Sequence, residues 1–136
     1  MRVLVVDDEL TSRFLLQETL ARYGDVEASE DGSEAVEKCI QALGENRPYD
    51  IICMDIMMPG MSGLEALQRI RQEEERTGRT RSDGAKVIMI TAKDDSESIA
   101  QSFQQLCDAY LTKPVDMRDL LNILHCLYPV PEPEEV

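Results

Sequence analysis

The sequence predicts an α/β fold built as a doubly wound parallel sheet. Three observations carry that prediction. Short apolar runs recur along the chain, each bounded by turn residues and too short for a helix. Amphipathic stretches separate them, so strand and helix alternate as βαβαβαβαβα. The runs are apolar at consecutive positions, as expected of strands covered on both faces. With 136 residues the chain makes one domain, and right-handed crossovers put helices on both sides of the sheet.

Each element has its own signal. Val3-Leu4-Val5-Val6 is β-branched and apolar, hence a buried strand. Leu10 to Tyr23 is a helix, with Phe14, Leu15, Leu20 and Ala21 as its apolar side and Gly24 as its stop. Val26-Glu27-Ala28 is a short edge strand. Asp31-Gly32-Ser33 supplies a turn and a cap, and Ala35, Val36, Cys39, Ile40 and Leu43 follow at helical spacing. Pro48 ends that helix. Ile51-Ile52-Cys53-Met54 is the next buried strand, followed by a loop with Pro59-Gly60. Ser62-Gly63-Leu64-Glu65 fits a capping box and opens a helix carrying Leu64, Leu67 and Ile70.

The run Glu73-Glu74-Glu75 reads as a solvated face. Thr77 to Gly84 is a polar, basic loop before the strand Val87-Ile88-Met89-Ile90. Ser96 to Leu106 is a helix with a weak apolar face of Ile99, Ala100, Phe103 and Leu106. Ala109-Tyr110-Leu111 is the last strand. Asp116 caps a final helix with Leu120, Leu121, Ile123, Leu124 and Leu127 on its inner side. The domain is expected over residues 1–128. Residues 129–136, rich in Pro and Glu, form a tail or linker stub.

Composition excludes several functions. Lys and Arg total 14 against 27 Asp and Glu, a net charge of -13 that repels nucleic-acid phosphate and favours basic partners and cations. No apolar run reaches the roughly 20 residues of a membrane span, and the N-terminal run is too short for a signal peptide. Cys39, Cys53, Cys107 and Cys126 form no CxxC pair, so they are expected to be buried small hydrophobes in a reducing, cytoplasmic setting. His125 is the single histidine, read as structural or surface. The methionines Met54, Met57, Met58 and Met61 read as core and loop packing.

In doubly wound sheets the functional crevice lies beyond the carboxyl ends of the strands. There the sequence places Asp7-Asp8-Glu9, Asp55, Thr91 and Lys113-Pro114, each just after a different strand. Singly, each has an ordinary reading as a cap, turn or surface residue. Together they bring acids, a hydroxyl and an amine to one edge. Carboxylates so close repel one another and call for a cation, for which Mg²⁺ with oxygen ligands fits best.

The set Asp7-Asp8, Asp55 with Ile56 to Gly63, Thr91-Ala92 and Tyr110-Leu111-Thr112-Lys113-Pro114 resembles the response-regulator receiver (CheY-like) family over about residues 1–128. The resemblance implies a flavodoxin-like sheet of five strands in the order 2-1-3-4-5. It implies that Asp55 accepts a phosphoryl group from a histidine kinase, a phosphotransfer protein or a small phosphodonor. Asp7 and Asp8 would hold Mg²⁺ with Asp55, joined by the backbone carbonyl of Met57. Thr91 would be the switch hydroxyl, with the Ala92 N–H beside it. Lys113 would pair with the phosphoryl group across a cis Lys113–Pro114 bond, and Tyr110 would be the switch aromatic. The output would be partner binding or a homodimer through the fourth helix, fifth strand and last helix. No direct nucleic-acid or membrane binding is implied.

Some positions depart from the family pattern. Leu106-Cys107-Asp108-Ala109 lacks the usual glycine. Met57 is apolar and Lys93 basic beside the route of an attacking water, and the loop Glu73 to Lys86 is long. Other functions fit less well. A haloacid-dehalogenase-type phosphatase needs a second Asp where Met57 stands. A nucleotide or flavin module needs a phosphate-cradling glycine loop where Asp7-Asp8-Glu9 stands. A phosphorylation-independent pseudo-receiver is the binding-module alternative, separated by phosphate incorporation at Asp55.

Overall fold

The computed structural model describes residues 1–79, 83–92 and 106–128. Its elements run β1 (Arg2–Val6), α1 (Leu10–Leu20), β2 (Asp25–Ser29), α2 (Gly32–Gly44), β3 (Ile51–Asp55), α3 (Gly63–Arg76), β4 (Lys86–Thr91), β5 (Ala109–Thr112) and a C-terminal helix (Met117–Leu127). All strand pairs are parallel, in the order β2-β1-β3-β4-β5. The expected helix over Ser96–Leu106, apart from Leu106 itself, lies outside the described residues. So do Lys93, Ile99, Phe103 and the tail 129–136.

The sheet divides the core in two, because successive side chains of a strand point to opposite faces. Leu4, Val6, Ile52, Met54, Val87 and Met89 pack against α2 and α3. Val3, Val5, Ile51, Cys53, Ile88 and Ile90 pack against α1 and the C-terminal helix. Three helices begin with side-chain caps. Asp31 accepts from the Glu34 N–H at 2.8 Å, Ser62 from the Glu65 N–H at 3.2 Å, and Asp116 from the Arg118 N–H at 2.8 Å.

Four expectations need correction. First, α1 buries Leu16 and Leu20, whereas Phe14 and Leu15 are 56% and 50% exposed. Apolar residues surround much of this helix, and only tertiary packing selects the inward face. Second, α1 ends at Leu20, short of Tyr23. Gly24 is needed for close approach: a Cβ there would lie 2.2 Å from the Met1 carbonyl oxygen.

Third, Glu74 is buried rather than solvated. Its Oε1 meets Arg71 Nη1 at 2.8 Å, and its Oε2 accepts from the Ala85 N–H at 2.7 Å. Arg71 also donates to the carbonyls of Ala85 (2.8 Å) and Leu106 (3.0 Å) and pairs with Asp108 at 3.3 Å. Asp108 in turn accepts from the Val87 N–H at 2.8 Å. This network joins α3 to the amino-terminal edge of β4 and to the entry of β5. It supplies Leu106 with a donor where the family pattern has glycine. Fourth, only Cys39 and Cys53 are buried, while Cys107 is half-buried and Cys126 exposed. Burial pushes the thiols of Cys39 and Cys53 up to about 12.

Candidate functional site

The parallel register brings the ends of β1, β3, β4 and β5 to one edge. Asp7 follows β1, Asp55 ends β3, Thr91 ends β4, and Lys113 follows β5. One carboxylate oxygen from each of Asp7, Asp8 and Asp55 lies within 4.8 Å of the others. The Lys113 ammonium stands 2.8 Å from Asp55 Oδ2 and 4.0 Å from Asp7 Oδ2. The Lys113–Pro114 bond is cis.

The two buried acids are held alike. Asp7 Oδ1 accepts from the Glu9 N–H at 2.9 Å, and Asp55 Oδ1 from the Met57 N–H at 3.1 Å. Each closes a turn over its own backbone two residues on, a common aspartate geometry. Each therefore keeps Oδ2 for the site. These bonds do not cap α1, whose N-cap Glu9 makes no side-chain cap. Asp7 Oδ2 is buried without a hydrogen bond. An unmet buried carboxylate oxygen is costly, so this donor set suits a hard divalent cation.

Electrostatics agree with crowding of like charge. Burial pushes the Asp7 carboxyl above its ordinary value, and Asp55 and Asp8 push it the same way. The Glu9 N–H and Lys113 hold it back. Burial pulls the Lys113 ammonium down, but the bond to Asp55 and the charges of Asp55, Asp7 and Asp8 outweigh it, so the net direction is upward.

Close packing fixes the loop after Asp55. Gly63 donates to the Ile56 carbonyl at 2.9 Å, and a Cβ on Gly63 would meet the Asp55 carbonyl oxygen at 2.2 Å. Gly60, with φ of 74°, turns the loop. Thr91 is buried, and its hydroxyl makes a long bond of 3.4 Å to the Ala92 carbonyl. Tyr110 on β5 is 46% exposed, an outward position. Met57 projects into solvent. A cavity of about 430 Å³ opens beside the site, lined by Asp7, Ser12, Leu15, Lys113, Pro114 and Met117 among others.

The expected residues Asp7, Asp8, Asp55 and Lys113 therefore converge, with Thr91 on the same edge. One contact was not foreseen. Arg13, on α1, donates from Nη1 to the Asp7 backbone carbonyl at 2.9 Å. Its position, one turn after Glu9, was the available signal, but many helices carry a surface arginine there.

Comparison with known proteins gives consistent relatives. A family model described as the response regulator receiver domain matches residues 3–125. The transcriptional regulatory protein ResD of Bacillus subtilis is 34% identical over 121 residues, covering 88% of this chain and 45% of ResD. Protein PilH of Pseudomonas aeruginosa is 32% identical over 127 residues, covering 93% of this chain and 96% of PilH. The chain thus spans less than half of one relative and nearly all of the other. Among solved structures, the receiver domain of the histidine kinase CKI1 from Arabidopsis thaliana, complexed with Mg²⁺ and BeF₃⁻, superposes with a TM-score of 0.77 at 31% identity. The match covers 93% of this chain and 88% of that one.

Proposed function

This chain belongs to the response regulator receiver family, and from that premise we propose that Asp55 is its phosphoacceptor in two-component signalling. The observation that carries the reading is the convergence of three carboxylates within 4.8 Å, with an ammonium 2.8 Å from one of them. Asp7, Asp8 and Asp55 would hold Mg²⁺, with the Met57 backbone carbonyl. The bound ion would neutralise charge on the phosphoryl oxygens.

The residues of the chain do the rest. An Asp55 carboxylate oxygen attacks phosphorus, and the bond from phosphorus to the donor's imidazole nitrogen breaks. Its electron pair stays on that nitrogen, which takes up a proton. Lys113, already beside Asp55, offsets the developing charge. The product is an acyl phosphate that water later hydrolyses, so the state is temporary. The new oxygens need donors, and the Thr91 hydroxyl moves to one of them. That movement favours an inward Tyr110 and alters the face around β5 and the C-terminal helix.

The partners in this reading are a sensor histidine kinase or phosphotransfer protein upstream. An output protein, or a second copy in a homodimer, lies downstream. The domain of residues 1–128 acts as a cytoplasmic signalling module whose only chemistry is its own phosphorylation and dephosphorylation, and residues 129–136 serve as a tail or linker. Among the described residues no helix is long and apolar enough to cross a membrane. The net charge of -13 opposes direct binding to duplex DNA.

The test is intact-mass analysis with Mg²⁺ and acetyl phosphate. One phosphoryl group is expected on the wild type and none on Asp55→Asn, whose amide is not a usable nucleophile. Equal incorporation in that variant would refute the assignment.

A further inference from the structure

The Asp8 carboxylate is exposed, and among the described residues no hydrogen bond or ion pair holds it. The backbone therefore fixes where its Cα–Cβ bond points, and so the region its carboxylate can reach. The peptide group joining Asp7 to Asp8 has its carbonyl fixed by Arg13 Nη1 at 2.9 Å. The same guanidinium reaches Glu30, the residue after the neighbouring strand β2, at 3.5 Å through Nη2. The Asp7 N–H is tied to the Ser29 carbonyl at 3.2 Å, and the Arg13 N–H to the Glu9 carbonyl at 3.0 Å. Arg13 thus lies across the turn that carries both acids, with its side chain only 11% exposed.

We propose that Arg13 is a positioning residue: it locks the Asp7–Asp8 peptide so that the free Asp8 carboxylate faces the divalent ion. A group that orients a metal ligand without touching the metal typically changes metal affinity by about 10- to 100-fold when removed. Arg13 has two opposed influences, which makes its role measurable. As a nearby positive charge it disfavours a cation, so deleting it on electrostatics alone would tighten Mg²⁺ binding. As a lock on the peptide it favours the cation, so deleting it weakens binding. The lock is the larger effect. The inference rests on the reading of Asp7 and Asp8 as ion ligands.

The experiment is calorimetric titration of Mg²⁺ into wild type, Arg13→Met, Arg13→Gln, Arg13→Lys and Glu30→Gln. Both neutral variants are expected to bind Mg²⁺ about 10-fold or more weakly. Either one that melts cooperatively suffices for the test. Arg13→Lys retains the charge and a donor and should recover part of the loss. Glu30→Gln removes only a long surface ion pair and should bind as the wild type does. Faster amide exchange at Glu9 should accompany the loss, and phosphate incorporation at Asp55 should return to the wild-type rate at saturating Mg²⁺. Unchanged or tighter Mg²⁺ binding in a folded neutral variant overturns the proposal. A wild type that binds no Mg²⁺ overturns both this and the ion-site reading. Mg²⁺ binding with the Arg13 effect but no phosphate on Asp55 upholds the lock and removes only the phosphoacceptor.

Discussion

Arg71→Met tests the buried network between α3 and the amino-terminal edge of the sheet. The substitution keeps most of the side-chain volume and deletes the charge. It leaves Glu74 and Asp108 inside, with side chains 6% and 14% exposed. It also strips a donor from the carbonyls of Ala85 and Leu106. Breaking a buried ion pair by removing one partner costs about 3–5 kcal/mol. Here each carboxylate still accepts from a backbone N–H, that of Ala85 for Glu74 and that of Val87 for Asp108. The loss should therefore fall near the lower end, about 3 kcal/mol. For a slope of roughly 1.5–2 kcal/mol/M, the urea midpoint moves down by about 1.5–2 M with the slope unchanged. Far-UV circular dichroism suits the measurement, because the chain has no tryptophan. Arg71→Met with Glu74→Gln should recover about 1 kcal/mol or more, since the amide can serve both the N–H and the carbonyl of Ala85. A single-variant shift below about 0.5 M, under roughly 1 kcal/mol, would mean that these charges are effectively solvated and the reasoning wrong.

Three further outcomes follow from the site. The Asp7 carboxyl is raised in the fold by burial, so its contribution to metal-free stability is greatest below 3.8, the ordinary value, and is lost as pH rises through the native value. Asp7→Asn should accordingly gain on wild type across that window and hold a constant advantage above it. A flat difference from pH 3 to 8 in denaturant titrations refutes this. Asp8→Ala should leave metal-free stability unchanged or higher by up to about 1 kcal/mol while abolishing the Mg²⁺-induced rise in melting temperature. An undiminished rise makes the acidic pair structural. Gly63→Ala should cost about 1–3 kcal/mol, because its Cβ meets the backbone of Asp55 and Ile56. Phosphate incorporation should slow as well, whereas Gly44→Ala, with nothing within 4 Å, should do neither.

Much of this architecture was legible because its signals are local. Consecutive apolar residues marked β1, β3 and β4. Asp7, Asp55, Thr91 and Lys113 stood out by following strands, which a parallel sheet must bring to one edge. What escaped depends on contacts between distant segments. Glu74 looked like part of a charged surface run because its donors, Arg71 and Ala85, include one that only the fold brings near. Phe14 and Leu15 looked internal because a helix with apolar residues on several sides has no single periodic face. Arg13 escaped for a different reason: its acceptor is close in sequence but is a backbone carbonyl, which no side-chain motif announces.

The origin of the site in four separate strands also orders events during synthesis. Asp7 and Asp55 leave the ribosome before Lys113 and the strand that places it. A nascent chain can display the acids without the ammonium that stands 2.8 Å from Asp55 in the finished sheet. In the proposed reaction, such a chain lacks the group that offsets charge on the incoming phosphoryl oxygens. A phosphodonor would therefore meet a working acceptor only after translation has passed β5, and a truncated or half-folded chain would draw little phosphate from the signalling pool.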